Sequence, residues 1–372
     1  TGVQTCALPI YENVTASVAT TDAAGNTTTV TANHAVGVDV VAPTIEITNE
    51  ASGNATTSLA KVGDTITANF TSTDPVTSVT IGGHAAQLTL VNAVTGTYTA
   101  TYVVASGDNA IATDVVVTSR DTAGNTTTQT LSGRVTVDTV APTATITLSD
   151  DALRIGDTST VTITFSEAVS GFSLSDLTAN NGTLSNLSSA TVNANGTVTY
   201  TATFTPNSNI EDTTNVVSLT TGYTDTVGNT GTTAESANYT IDTLAPTATI
   251  TVNTVTSDNV INQSELAAGN VPVTGTVGGD VKVGDIVTLT INGHTYVGGV
   301  TANLAGELTY SIDVLASDLV ADENVTASVA TTDAAGNTTT VTANHAVGVD
   351  VVAPTATITL SDDTLKIGRA HV

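Results

Sequence analysis

One phrase of 23 residues occurs four times in this chain and limits what it can fold into. It reads DAAGNTTTVTANHAVGVDVVAPT from Asp22 to Thr44 and DTAGNTTTQTLSGRVTVDTVAPT from Asp121 to Thr143. It returns as DTVGNTGTTAESANYTIDTLAPT from Asp225 to Thr247, and word for word as the first copy from Asp333 to Thr355. Its two acidic anchors are always 17 residues apart: Asp22 and Asp39, Asp121 and Asp138, Asp225 and Asp242, Asp333 and Asp350. The prolines of the A-P-T step stand at 43, 142, 246 and 354, so the repeats are 99, 104 and 108 residues long. A period near 100 residues is one small domain, too long for a solenoid unit. The chain is a string of beads.

The phrase divides the 372 residues into the tail of one bead at 11–41, full beads at 42–140, 141–244 and 245–352, and the start of another at 353–366. Linkers of a few residues with a proline leave little slack between neighbours, so an extended rod is expected. Inside each bead the apolar residues alternate with period two. Val14–Thr21 leads into D-A-A-G-N and Thr27–Ala32 leads out, which reads as an antiparallel hairpin. Gly25 and Asn26 both suit positive φ there. Further strands read at 64–70, 78–81, 97–102, 112–118, 160–165, 196–204 and 215–219. Roughly seven short strands per hundred residues is the pattern of an antiparallel β-sandwich, so the fold class is all-β. The only candidate helical turn is 262–268, where Asp258, Asn262 and Glu265 read as a capped turn before they read as an oxygen site.

Charge narrows the function. The formal net charge is −27, from 34 acidic and 7 basic residues. Such a chain is repelled by nucleic acid and by anionic membrane surfaces, and attracts hard divalent cations. No apolar run approaches the roughly 18 residues of a spanning helix, so no membrane insertion is expected. The hydrophobic 40% is mainly Val, Ala, Ile and Leu, with Thr abundant beside it, which suits strands and small aliphatic cores. No His or Cys pair has zinc spacing, and neither a nucleophile elbow nor a phosphate loop is present, so no catalytic residue is assigned.

The two ends break the pattern. Residues 367–372 can be encoded as ATCGGAAGAGCACACGTC, and the codons available to residues 1–10 contain its reverse complement in frame. Residues 1–10 and 367–372 therefore read as two strands of one sequencing adapter, which makes Cys6 and Arg369 foreign to the protein and leaves its native termini outside this sequence.

The D-x-x-G-N turn, the V-D-x-x-A-P-T step and K-V-G-D-T-I-T at 61–67 resemble the bacterial immunoglobulin-like (Ig-like) repeats of giant surface adhesins. The bead at 141–244, with T-I-T-F-S-E-A-V-S-G-F at 162–172, is similar to one subfamily, and the bead at 245–352 to another. The resemblance implies type I secretion, an extracellular or cell-surface location, and a part in biofilm or host attachment.

In such a sandwich the hairpin of the last two strands lies at the N-terminal end, so each D-x-x-G-N turn faces the V-D step of the bead before it. The first junction then has Glu12 and Asp39 facing Asp74 and Asp121. The second has Asp138, Asp64 and Asp108 facing Glu167, Asp225 and Asn229. The third has Asp157, Glu211, Asp212 and Asp242 facing Asp333 and Asn337, and Asp350 stands ready for the next bead. Calcium takes six to eight oxygens in irregular geometry, so loops from two beads can share it. The Asp beside the A-P step also resembles the calcium linkers of cadherins. Against this, Asp makes turns and keeps surfaces soluble without any metal. Three functions follow: a calcium-stiffened spacer of an adhesin, a module binding carbohydrate or receptor, or accessory beads of a larger extracellular enzyme. The partners expected are neighbouring repeats, and a host or biofilm surface reached through domains outside the sequence.

Overall fold

The structure, a computed structural model, describes residues 10–359, with side chains from Asn13 onward. Residues 1–9, with Cys6 among them, residues 360–372 and the side chains of residues 10–12, Glu12 included, lie outside it. What it describes is a tandem array of Ig-like antiparallel β-sandwiches. Three separate apolar cores recur along the chain, one between Ala60 and Val137, one between Ile146 and Ile241, and one between Ile250 and Val347. They define a first, second and third bead, and a hairpin of Ile10–Thr21 with Thr27–Val38 precedes them.

In the first bead one sheet runs Ile45–Ser52, Thr65–Ser72, Thr97–Val103, Gln87–Asn92. The facing sheet runs Thr126–Leu131, Val115–Arg120, Val76–Ile81, His84–Ala85. Period two decides which side chains are buried: Ile66, Ala68 and Phe70 point inward from one central strand, and Val115 and Val117 meet them from the other. The second and third beads repeat the plan around Val161, Ile163, Phe165 and around Val287, Leu289, Ile291. Each bead ends in a short parallel pair: Leu59–Ala60 with Thr136–Val137, Ala152–Arg154 with Tyr239–Asp242, and Val260–Asn262 with Gly348–Asp350. That pairing delivers the aspartate of the V-D step to the end of its bead.

Two details depart from the sequence reading. The turn glycines do take positive φ, at 92° for Gly25 and 99° for Gly228, but Asn26 does not. Its carboxamide and its backbone N–H both donate to the Asp22 carboxylate instead. A second helix, Ala316–Ala321, joins the expected one at Gln263–Ala268. Asn262 and Glu265 form a capping box on the latter, while Asp258 accepts from Thr256 and from the Val260 N–H.

From Glu12 onward the preceding hairpin has the same sequence as the last hairpin of the third bead, in a different environment. Val325 and Val329 are 0% and 1% exposed, whereas their counterparts Val14 and Val18 are 57% and 66% exposed. Identical strands pair in identical register, and what differs is the rest of the sandwich: in the third bead the hairpin is joined edge-on by Ile286–Ile291 and covered by the facing sheet.

Candidate metal centre at the bead junctions

The D-x-x-G-N turn builds itself from its first residue. Asp225 Oδ1 accepts from the N–H groups of Val227, Gly228 and Asn229 at 2.6–2.9 Å, and its Oδ2 accepts from Asn229 Nδ2 at 2.7 Å. Asp121 with Asn125, Asp333 with Asn337 and Asp22 with Asn26 repeat this arrangement. The Asn125 carboxamide and N–H hold the Asp121 carboxyl below its ordinary range. The V-D step has its own turn, in which Asp39, Asp138, Asp242 and Asp350 each accept from the N–H two residues on.

The two turns then meet across the junctions. Asn125 Nδ2 donates to the Asp39 carbonyl at 3.0 Å, Asn229 Nδ2 to the Asp138 carbonyl at 3.0 Å, and Asn337 Nδ2 to the Asp242 carbonyl at 2.9 Å. At the second junction Asn54 Nδ2 also donates to the Val227 carbonyl and Lys61 Nζ to the Gly228 carbonyl. At the third, Asn337 Oδ1 accepts from the Ile155 N–H, beside Arg154.

Carboxylates converge at the second junction. Asp138 from the first bead and Glu167 and Asp225 from the second bring one oxygen each to within 4.8 Å of one another. Asp225 is buried and the other two are half-buried. Burial first, and then the charges of Asp138 and Asp225, push the Glu167 carboxyl above its usual range. Around the third junction a cavity of about 420 Å³ is lined by Glu211, Asp242, Asp280, Asp333 and Lys282. Asp280, absent from the sequence-derived set, follows the second strand of its bead as Glu167 does, and its carboxyl binds Thr247.

The other expected ligands are occupied within their own beads. Asp64 caps the turn at the Lys61 N–H and accepts from Asn54; Asp157 pairs with Arg154; Asp212 accepts from Asn181 and the Thr214 N–H. The Asp108 carboxyl turns into its own bead: it is 4% exposed, accepting from the Tyr102 hydroxyl at 2.6 Å and the Ala105 N–H at 2.7 Å, with His84 Nε2 at 3.3 Å. The Tyr102 hydroxyl, donating to that carboxylate, has its pKa pushed up to about 12. Asp318 repeats the arrangement in the third bead with His294, Tyr296 and Asn292. The recurring G-H after the third strand, at His84 and His294, is the sequence signal for it.

Two family models match the chain, one described as a bacterial Ig-like domain over residues 138–241 and one as a bacterial Ig-like domain (group 3) over residues 11–106. Among solved structures it is similar to the Ca2+-stabilized adhesin with which an Antarctic bacterium reaches out and binds ice. The identity is 34% over 90% of this chain and 81% of that one, with a TM-score of 0.52. It is also similar to a bacterial immunoglobulin-like domain from the M. primoryensis ice-binding adhesin, at 50% identity over 28% of this chain and 100% of that one, with a TM-score of 0.26. No curated protein matches the chain.

Proposed function

The chain belongs to the bacterial Ig-like domain family, as repeats of the kind found in large adhesins, and from that premise we propose that it is a spacer of a secreted or cell-surface adhesin, stiffened by calcium between beads. The observation that carries the reading is the meeting of Asp138 with Glu167 and Asp225 across a junction. Three carboxylates so close repel one another, and turn formation alone does not require Glu167 to be there. Hard oxygen donors from two beads, in irregular loops, suit calcium better than a geometrically strict ion such as magnesium. Bound calcium supplies the positive charge that offsets this repulsion and a coordination sphere that both beads can enter.

The remaining contacts hold the beads in register. The Asn229 and Lys61 bonds to backbone carbonyls set the docking of one turn on its neighbour, and the carboxylates add a part that responds to cations. The similar Antarctic adhesin is described as Ca2+-stabilized, which supports the same role here. Among the described residues no helix is long and apolar enough to cross a membrane. The spacer would hold an adhesive domain away from the cell, with type I export and attachment to a biofilm or host surface as its setting. A structural role, not a catalytic one, accounts for the conspicuous residues.

Calorimetric titration of the chain with calcium, with magnesium as control, tests the reading. Saturable calcium heat that falls sharply in Glu167→Gln supports it; no calcium heat, or heat unchanged in that variant, contradicts it.

A further inference from the structure

A strand at the edge of a sheet exposes unpaired N–H and C=O groups, and proteins blunt such edges with short strands, charges or proline. The second and third beads do so: the edge beside Val198–Pro206 is broken into Gly182–Ser185 and Thr191–Val192, four and two residues long, and the edge beside Leu308–Leu315 is Thr301–Ala302, two residues long. The first bead does not. Its corresponding edge, Gln87–Asn92, has six residues, all exposed, and carries Leu88, Leu90 and Val91, the last two 50% and 61% exposed. It contains neither charge nor proline. A register shift between Leu90 and Asn92 bends one end, leaving Gln87–Leu90 regular.

The charge pattern around this edge points to what covers it. From Pro75 to Gly107 the chain has no Asp, Glu, Lys or Arg, although its net charge is −27. Two copies of so acidic a chain repel one another over most of their surface. The uncharged stretch is where they can approach at least electrostatic cost, and an edge that offers its own backbone pattern fits an identical edge turned by a two-fold axis. We propose that Gln87–Asn92 pairs antiparallel with the same strand of a second copy of this chain, joining two copies side by side. This is separate from the end-to-end junctions and does not depend on calcium binding.

The test is sedimentation equilibrium over a concentration series, with reductant present to keep Cys6 from cross-linking and salt high enough to screen the net charge. The wild-type mass should rise towards twice the monomer value, and amide exchange at Gln87–Asn92 should slow with it. Leu90→Lys, which adds charge to the edge, should weaken association roughly tenfold or more. Val297→Lys, at an exposed site on a strand of the third bead, should leave it unchanged. Thr89→Pro gives a second disruption that acts on the backbone; circular dichroism checks that each variant is folded. A chain that stays monomeric throughout overturns the proposal. So does association that survives both Leu90→Lys and Thr89→Pro, or slowed exchange at this edge only when an extended peptide is added.

Discussion

The Asn229 carboxamide donates to the Asp138 carbonyl of the preceding bead at 3.0 Å, and to Asp225 within its own turn at 2.7 Å. One side chain thus ties the shape of a turn to the docking of a neighbour. The same double use at Asn125 and Asn337 makes the arrangement a repeating joint.

Asn229→Ala should loosen the second junction and leave the other two unaltered. A bond of this kind contributes about 1 kcal/mol. Spin labels placed on either side of each junction, in a chain without Cys6, would report the change as a broader distance distribution across the second junction alone. Broadening at all three would contradict a local joint.

Glu167→Gln should have opposite effects with and without calcium. In chelator, removing one of three crowded charges should stabilise the second bead and its junction by up to about 1 kcal/mol. In calcium, loss of a donor should lower the melting temperature relative to wild type. The same sign in both conditions would mean that the cluster does not respond to calcium.

Val329→Ala and Val18→Ala are the same substitution in two copies of one sequence. The first removes a side chain that is 1% exposed in the core of the third bead and should cost about 1–2 kcal/mol. The second removes one that is 66% exposed and should cost close to nothing. Thermal melts of the two variants make the comparison, and equal losses would show that the facing sheet does not set the difference.

The Asp108 and Asp318 carboxyls are both held below their ordinary range, first of all by the Tyr102 and Tyr296 hydroxyls. A carboxylate depressed in the folded state contributes stability that is complete above its unfolded pKa and is lost as pH falls through the folded value. Tyr102→Phe should therefore destabilise the first bead most near pH 7, by about 1 kcal/mol or more. The difference from wild type should narrow in acid. Buried Glu50 works in the opposite sense, since burial raises its pKa and its cost is relieved as the solution becomes acidic. Melts across the acid range check this, and a Tyr102→Phe deficit that widens in acid would contradict it.

The beads were legible because their punctuation is local: a D-x-x-G-N turn and a V-D-x-x-A-P-T step mark the two ends of a sandwich whatever lies between. Asp138, Glu167 and Asp225 could be brought together from sequence because an Ig-like topology sends those three positions to one junction. The burial of Asp108 could not be read, because it depends on Tyr102 and His84 arriving from other strands. The Ala316–Ala321 helix has no side-chain cap at Leu315 and so leaves no mark in the sequence. Lys61 read only as part of the K-V-G-D-T-I-T motif; the neighbouring bead shows that its ammonium group reaches the Gly228 carbonyl. Asp280 stands outside the repeated phrase, behind Gly278 and Gly279, and takes its meaning from the cavity it lines.

Cations should stiffen the joints without building the beads. Small-angle X-ray scattering of the chain in calcium and in chelator, beside circular dichroism of the same samples, tests it most directly. Calcium should give a longer maximum dimension and a narrower spread of conformations, with strand content unchanged. Superimposable scattering profiles in the two conditions would contradict it.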